Sequence, residues 1–341
     1  VHNAAMNLEP LIELSRGGVP ECLHFGAIAV VDRHGKLLAQ AGDPHWLSFT
    51  RSTLKAMQAL PFLQSGGPAQ FGFDTQQLAM LCASHNGEDM HVAQAQSMLD
   101  KAGLGTRSLR CGCHLPGVFA ALETCPPPGF VYDERHNNCS GKHAGFLAYC
   151  VQHGLALDRY EDPLHPLQVA VRQAVARATG MDENALKIGV DGCSAPNYAM
   201  PLANLAWGYA RLASGQRDGE FGESFALLAD AMTRHPDLVS GTGRNDLAFM
   251  RAGRGDWVTK IGADGVQAVA SKSRGEAFAI KIIDANKPAL HATTVEVLAQ
   301  LGWLDDAQRE QLHPWRARDI VNARGLRVGE RKPLFQLQCP A

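Results

Sequence analysis

Arg51-Ser52-Thr53-Leu54-Lys55 is the most informative stretch of the chain, because it places a serine three residues before a lysine at the predicted start of a helix. We expect this helix to run from the serine to Pro61. Positions i and i+3 share one helical face, so the lysine amine can reach the serine hydroxyl. A lysine that takes a proton from serine must be partly neutral, which burial or a second cation brings about. A capping serine followed by a solvated lysine gives the same pattern, so its meaning depends on the rest of the chain.

Composition excludes several classes of partner. The chain has 341 residues, of which 45% are apolar, and its formal net charge is −2. Such a balance predicts neither nucleic acid nor an acidic membrane surface as a partner, and it favours a small neutral or zwitterionic molecule. No apolar stretch approaches the roughly 18 residues that span a bilayer. With no visible signal peptide and 9 irregularly spaced cysteines, we expect reduced thiols and a cytoplasmic location.

Strand patterns occur at both ends of the chain and helical patterns fill its middle. The predicted strands are 25–31, 36–40, 257–261, 267–271 and 278–284. The predicted helices after Pro61 are 89–102, 141–153, 163–180, 197–213, 223–234 and 293–301. We therefore predict an α+β fold in which both chain ends build an antiparallel sheet flanked by helices, with an inserted, mainly helical lobe. The prediction is a single domain of residues 1–341, with a sheet lobe at roughly 1–50 and 250–341 and a helical, active-site lobe at roughly 51–249.

Two further short motifs can complement the first. Ser84-His85-Asn86 ends an apolar run, and Lys260-Ile261-Gly262 lies on a predicted late strand. Ser-x-x-Lys, Ser-x-Asn and Lys-x-Gly follow in the order found in the serine β-lactamase and penicillin-binding superfamily. There, the helix-start serine attacks, the loop serine relays a proton, and the strand lysine depresses the pKa of the other lysine. Ser84 follows Ser52 too soon for a β-lactamase, which indicates a relative with another activity.

A more specific resemblance extends from about residue 24 to 284. The chain closely resembles the L-asparaginase II family, the class 3 or Rhizobium etli-type asparaginases, in five strings that occur together in order. They are Arg51-Ser52-Thr53-Leu54-Lys55, Ala83-Ser84-His85-Asn86-Gly87, Asn137-Asn138-Cys139-Ser140-Gly141-Lys142-His143-Ala144-Gly145, Asp191-Gly192-Cys193 and Gly241-Thr242-Gly243-Arg244. The segment Asp284-Ala285-Asn286-Lys287-Pro288 lacks the Asp-Gly-x-x-Arg pattern of many members.

The resemblance implies a serine β-lactamase-like fold, a homodimer, and hydrolysis of L-asparagine to L-aspartate and ammonia. The catalytic residues that it implies are two Ser–Lys pairs and an aspartate beside them: Ser52 with Lys55, Ser84 with Lys260, and Asp191. It also implies one zinc ion per chain, not required for the chemistry, bound by Cys139, Lys142, Cys193 and water.

Several of these residues have a second interpretation. A lysine binds zinc only after it loses a proton, so His143 is the more ordinary ligand type. The resemblance favours Lys142, and we expect His143 in the substrate pocket together with Asn86 and Arg244. Asp191 is equally well explained as a turn residue before glycine, and Arg244 as a solvated loop arginine.

Three functions remain open from the sequence. The first is an amidohydrolase that acts on free L-asparagine, with Ser52 as nucleophile and neutral Lys55 as its base. The second keeps the fold and changes the substrate, giving a glutaminase or a penicillin-binding-type peptidase or esterase. The third is a protein that binds a metal or an amino acid without turnover. Ammonia release from asparagine and glutamine distinguishes them.

Overall fold

The computed structural model describes residues 7–316 and 319–340. Its strands are β1 (Glu9–Arg16), β2 (Val19–Asp32), β3 (Leu37–Ala41), β4 (Leu47–Phe49), β5 (Lys187–Val190), β6 (Pro196–Pro201), β7 (Trp257–Gly262), β8 (Val266–Ser271), β9 (Glu276–Ile282), β10 (Asp319–Val321) and β11 (Arg327–Pro333). Its α-helices are α1 (Lys55–Gln58), α2 (Leu60–Gln64), α3 (Gly67–Phe71), α4 (Thr75–Cys82), α5 (Asp89–Lys101), α6 (Gly117–Ala121), α7 (Ser140–Gln152), α8 (Pro166–Thr179), α9 (Leu202–Ser214), α10 (Gly222–Arg234), α11 (Pro236–Val239), α12 (Asn245–Ala252), α13 (Lys287–Gln300) and α14 (Asp306–Gln311). A 3-10 helix at Arg51–Leu54 leads directly into α1.

Both ends of the chain contribute to one large antiparallel sheet. Its strand order is β10-β11-β1-β2-β9-β8-β7, and β3 also pairs with β2. The long strand β2 joins the two ends, because it pairs with β1 from the start of the chain and with β9 from its last third. A second sheet in the described residues is small, with the order β4-β6-β5. The predicted α+β architecture, with a sheet built from both ends and an inserted helical lobe, is confirmed.

Helices cover both faces of the large sheet at its centre. Every residue from 27 to 31 in β2 is apolar and fully buried. Successive side chains point to opposite faces. Accordingly Ala27, Ala29 and Val31 join the core that includes α9, whereas Ile28 and Val30 join the core that includes α13. Each buried valine or isoleucine contributes about 1.5–3 kcal/mol through the hydrophobic effect. This continuous apolar run therefore fixes the sheet between the two helical layers.

The edge strand β7 carries the predicted lysine motif. Gly262 ends β7 and lies against the segment that precedes Ser52: a Cβ added to the glycine would be 2.8 Å from the Thr50 carbonyl oxygen. The absence of a side chain thus lets the strand and the 3-10 helix approach closely. This contact brings the first and third sequence motifs to one place.

Some predicted boundaries differ from the structure. The predicted helix over 197–213 begins at Leu202, because residues 196–201 form β6, and Pro201 starts the helix as its capping residue. The segment Leu60–Gln64 is helical through Pro61, where proline is tolerated in the first turn. The sequence patterns missed β1, β10, β11 and the small sheet. The sheet-lobe prediction for residues 1–6, 317, 318 and 341 lies outside the described residues, and the division into one domain stays a prediction.

Candidate active site

The turn that presents Ser52 is held by hydrogen bonds to β6 and α9. Arg51 has a φ of +52°, a left-handed conformation that non-glycine residues rarely adopt. Its N–H donates to the Asn197 side-chain oxygen at 3.1 Å, and the Tyr209 hydroxyl donates to the Thr53 carbonyl at 2.7 Å. These bonds anchor the turn on both sides of the serine. Ser52 itself stays partly exposed and is therefore reachable by a small substrate.

Lys55 is buried, with only 1% of its surface exposed, and its amine contacts the second motif. Its Nζ donates to the Ser84 hydroxyl at 2.9 Å, to the Asn138 carbonyl at 3.1 Å and to the Ala83 carbonyl. The sequence paired Lys55 with Ser52, but in the structure its serine hydrogen bond goes to Ser84. This hydrogen bond joins the lysine of the first predicted pair to the serine of the second.

A neutral histidine positions the Ser84-His85-Asn86 loop. His85 Nδ1 accepts the Gly87 N–H at 3.1 Å, so the ring proton lies on Nε2, which contacts the Ser140 hydroxyl at 2.9 Å. Burial lowers the pKa of His85 well below its usual value, which keeps the ring neutral. The ring thus links the serine loop to the first turn of α7.

Asn86 and Arg244 lie together, as the predicted substrate pocket requires. The Asn86 amide donates to the Thr242 carbonyl at 2.8 Å, and its oxygen accepts from Arg244 Nη1 at 3.3 Å. Burial lowers the pKa of Arg244, although a guanidinium remains charged at neutral pH. Arg244 immediately precedes α12 and has no carboxylate among its hydrogen-bond partners in the described residues. Its charge remains available to an anionic group of a ligand.

Lys260 is the second buried amine, and sequence reasoning missed the residue beside it. Lys260 Nζ lies 3.7 Å from Asp246 Oδ2 and donates to the Ile261 carbonyl at 2.8 Å. Burial lowers the pKa of Lys260 to about 7, assisted by the charges of Lys55 and Arg244 and opposed by Asp246.

Asp191 has an arginine and a backbone N–H as its hydrogen-bond partners, and its predicted place beside Lys55 and Lys260 stays a prediction. Its carboxylate accepts from Arg51 Nε at 2.9 Å and from the Gly192 N–H at 2.8 Å. Asp191 sits in the turn between β5 and β6, on the side of the site that carries Cys193. The sequence does not indicate Arg51, four positions before Lys55, as the partner of Asp191, because the two motifs are 140 residues apart.

Two cysteines, a lysine and a histidine form a buried cluster next to these residues. Lys142 Nζ lies 3.1 Å from Cys193 Sγ, and all four side chains of Cys139, Lys142, His143 and Cys193 are buried. The Cys139 thiol, Lys142 and His143 lower the pKa of Cys193 well below its usual range. Although burial opposes the charge on Lys142, the Cys193 thiolate and Asp191 raise the pKa of Lys142.

This cluster fits a zinc site in part of its chemistry. Two thiols and a nitrogen are typical zinc ligands. His143 Nδ1 lies 2.7 Å from the Tyr160 hydroxyl, which directs that side of the ring away from the cysteines, whereas its buried Nε2 has no hydrogen-bond partner. The described residues contain no group of three or more His, Cys, Asp and Glu side chains arranged to hold a metal, so a site here depends on the Lys142 amine.

The structure thus brings most of the predicted residues to one region between β7, the 3-10 helix, the Ser84 loop and α7. It also adds Arg51, His85 and Asp246, which sequence reasoning did not single out. Asp246 follows the Gly241–Arg244 string by only two residues, and that proximity was the available signal.

Comparison with known proteins agrees with this geometry. The family described as L-asparaginase II matches residues 12–333. The chain therefore belongs to the L-asparaginase II family, as the sequence motifs predicted, and membership supports asparagine hydrolysis at the level of the family. A comparison with curated proteins returned no match.

Solved structures resemble the chain at low sequence identity. A β-lactamase from Mycobacterium bovis is 17% identical, with a TM-score of 0.44, over 81% of this chain and 94% of that chain. A protein titled as a candidate β-lactamase from Bacteroides dorei is 12% identical, with a TM-score of 0.41, over 80% of this chain and 93% of that chain. Likeness at this level concerns the fold, and no activity is transferred from it. No helix in the described residues is both long and apolar enough to cross a membrane.

Proposed function

We propose that this protein hydrolyses L-asparagine to L-aspartate and ammonia through an acyl-enzyme on a Ser–Lys system. The observation that carries the proposal is the burial of two lysines in one region with two serines, where the pKa of Lys260 falls to about 7. An amine that is partly neutral at neutral pH can accept a serine proton. Lys55, hydrogen-bonded to Ser84 at 2.9 Å, connects the second serine to the same group.

The proposed steps conserve atoms and protons. Ser52 Oγ bonds to the side-chain amide carbon of asparagine. At the same time the neutral amine of Lys55 or Lys260 takes the hydroxyl proton of Ser52. The C–N bond then breaks, and ammonia leaves with a proton delivered through Ser84 and its lysine partner. Water adds to the acyl carbon by the reverse relay, the ester bond to Ser52 breaks, and aspartate is released. The motifs assign the base role to Lys55, and the lowered pKa of Lys260 makes that lysine a second candidate for the base.

The charge balance of the site supports an amino acid as the substrate. Lys55 and Arg244 contribute two cationic side chains next to the partly neutral Lys260, and Asp246 is the carboxylate that acts on Lys260. An α-carboxylate would offset this excess, with Arg244 and the Asn86 amide as its proposed partners. Arg244 immediately precedes α12, and its Nη1 already donates to the Asn86 side-chain oxygen at 3.3 Å.

The closed edge of β7 disfavours a peptide substrate. Penicillin-binding-type substrates extend along a free strand edge, as in other cases of strand addition. Here the Ile261 N–H donates to Asp246 at 2.8 Å, and Gly262 lies against Thr50 and Arg51. A small free amino acid avoids this obstruction. Glutamine has one further methylene, which pockets discriminate by about 1–3 kcal/mol.

We further propose that Cys139, Lys142 and Cys193 hold one zinc ion, as the family resemblance implied. A bound Zn²⁺ would supply a positive charge that keeps these ligands deprotonated. Cys193 supports this because it already favours its thiolate, whereas the raised pKa of Lys142 means that the zinc ion would have to displace a proton from the amine. The homodimer and the cytoplasmic location also stand as proposals, to be tested by light scattering and by cell fractionation.

The deciding experiment measures ammonia release from asparagine and from glutamine, with and without a zinc chelator. We expect turnover of asparagine, slower turnover of glutamine, and persistence of activity after chelation. Equal rates for the two amides would reassign the protein as a glutaminase-asparaginase. Absence of turnover with either amide would favour a binding protein and reject the proposal.

A further inference from the structure

We propose that Asp246 is a positioning residue for the reaction, whose buried carboxylate fixes the place and the charge state of Lys260. The inference rests on the proposed function, in which Lys260 takes part in proton transfer. Asp246 is fully buried in the first turn of α12, two residues after Arg244. Its position joins the predicted carboxylate-binding arginine to the strand that carries the lysine.

Four neighbouring groups hold the Asp246 carboxylate in one orientation. Oδ2 accepts the Ile261 N–H at 2.8 Å. Oδ1 accepts from the Thr259 hydroxyl at 3.1 Å, from Gln267 Nε2 at 3.0 Å and, weakly, from the adjacent Asn245 amide at 3.4 Å. These bonds hold the carboxylate in one position, from which it acts on the Lys260 amine.

The same hydrogen bonds place Lys260. Thr259 and Ile261 flank the lysine on β7, so the carboxylate is tied to the strand on both sides of it. The lysine amine lies 3.7 Å from Asp246 and donates to the Ile261 carbonyl at 2.8 Å. A change at Asp246 would alter both the path of the strand and the field at the amine.

Asp246 is the carboxylate among the charged groups that act on Lys260. Lys55 and Arg244 oppose protonation of Lys260, whereas Asp246 favours it. A Cys139 thiolate would also favour it, but the hydrogen bond to Cys193 raises the pKa of the Cys139 thiol well above its usual value, so the thiol is neutral near pH 7. Cys82 also faces the amine, but burial raises the pKa of its thiol to about 12, so it is neutral near pH 7. Without the Asp246 charge, the two cations would drive the pKa of Lys260 below its present value of about 7. The attraction across such a short distance exceeds the equivalent of one pKa unit at a protein-like dielectric.

The test compares Asp246→Asn with Asp256→Asn. Asp256 is a matched control, because it also holds a hydrogen-bonded carboxylate next to β7, with the Ser271 hydroxyl at 2.6 Å and the Ser273 N–H at 2.7 Å. The first readout is kcat/KM for asparagine as a function of pH. If neutral Lys260 is the base, activity rises as pH increases through its pKa. Asp246→Asn should then move this rising limb at least about one pH unit toward acid, and Asp256→Asn should leave it in place.

A second readout does not depend on activity. Lys260 has a pKa of about 7 in the fold and an ordinary value of about 10.4 when unfolded, so the unfolded chain binds more protons between these values. Stability therefore rises with pH across this window and loses that slope below it. In Asp246→Asn the rising window should extend to lower pH. The denaturant midpoint, measured for each variant at a series of pH values, records this change.

The outcomes separate the two proposals. If wild-type protein releases no ammonia, the proposed function fails, while the stability curves still test Asp246. The positioning role would be overturned if the rising limb and the stability window stay in place in Asp246→Asn, even with reduced activity. Should Asp246→Asn not fold, Asp246→Glu retains the charge and should keep the wild-type limb despite slower turnover. A limb displaced toward acid in Asp246→Glu would also overturn it.

Discussion

Arg51 Nε donates to Asp191 Oδ1 at 2.9 Å, and the same guanidinium contacts the carboxylate of Asp264. The residue immediately before Ser52 is therefore bound to the β5–β6 turn on one side and to the turn after β7 on the other. Its left-handed backbone, with φ +52°, costs about 1–2 kcal/mol relative to a right-handed one. Both contacts help to hold this strained residue in place. The orientation of Ser52 thus depends on the two carboxylate contacts of the preceding arginine.

Arg51→Lys should lower kcat for asparagine by about 10- to 100-fold, since small misplacements of a reacting group have effects of that order. Lysine retains the charge but cannot bind two carboxylates through a planar fork. Arg254→Lys is the control, because Arg254 also has a left-handed φ of +49° and pairs with Asp305 at 2.9 Å. Steady-state kinetics of both variants provide the measurement. Equal kcat values for the two would remove Arg51 from the positioning of Ser52.

The sequence predicted those parts of the fold in which local pattern and burial agree. The apolar runs that became β2, β7, β8 and β9 are buried on both faces, so their hydrophobicity marks them as strands. β11 was missed because its residues Arg327–Pro333 are mostly charged and only partly buried. The sequence pattern predicts a helix where β6 lies. Five of the six residues of β6 are buried, and periodicity does not separate a short buried strand from a helix.

The motifs predicted which residues would meet, but not how they would pair. Ser52, Lys55, Ser84 and Lys260 were each found from short strings, whereas the Lys55–Ser84 hydrogen bond joins residues 29 positions apart. The sequence does not indicate Asp246, because its partners Thr259 and Gln267 are 13 and 21 residues away and lie on two different strands. Such pairings are set by tertiary packing, which a linear pattern does not record. A search for carboxylates next to each motif would have included it.

Ser52→Ala should reduce asparagine turnover by three or more orders of magnitude, because removal of a nucleophile leaves only binding and oxyanion contributions. Acid quenching of the wild-type reaction should trap an aspartyl ester on Ser52, detectable by peptide mass spectrometry. Ser65→Ala is a suitable control, since Ser65 is exposed and bonds only to α2 and Gln152. An ester found on Ser84 instead would exchange the roles of the two serines.

Cys193→Ser should lower the zinc content of the purified protein by at least about tenfold, because thiolate is a far stronger zinc ligand than hydroxyl. Elemental analysis gives the metal content, and ammonia release gives the activity. Cys150→Ser serves as the control, as Cys150 is equally buried on α7 but outside the Lys142–Cys193 cluster. We expect Cys193→Ser to retain measurable activity. Zinc bound equally by wild type and both variants would place the metal elsewhere.

Gly141→Ala should destabilise the fold by about 1–3 kcal/mol, the usual cost of forcing extra volume into a packed contact. A Cβ at this position would lie 2.3 Å from the Met80 carbonyl oxygen, so α7 must move away from α4. That movement would carry Lys142 and also Ser140, whose hydroxyl contacts His85 Nε2 at 2.9 Å, so the Ser84 loop would shift and activity should fall. The denaturant midpoint, taken at unchanged m-value, measures the loss of stability.

Gly105→Ala is the control for this substitution. Gly105 has a φ of −115°, which any residue adopts, and no neighbouring atom lies within 4 Å of its added Cβ. Its free energy of unfolding, obtained from the midpoint and the m-value, should therefore match that of the wild type within about 0.5 kcal/mol, the range of ordinary surface substitutions. A Gly141→Ala midpoint within the same range would mean that α7 and α4 have room to spare. In that case the close approach of these helices would not be what holds Lys142 beside Cys193.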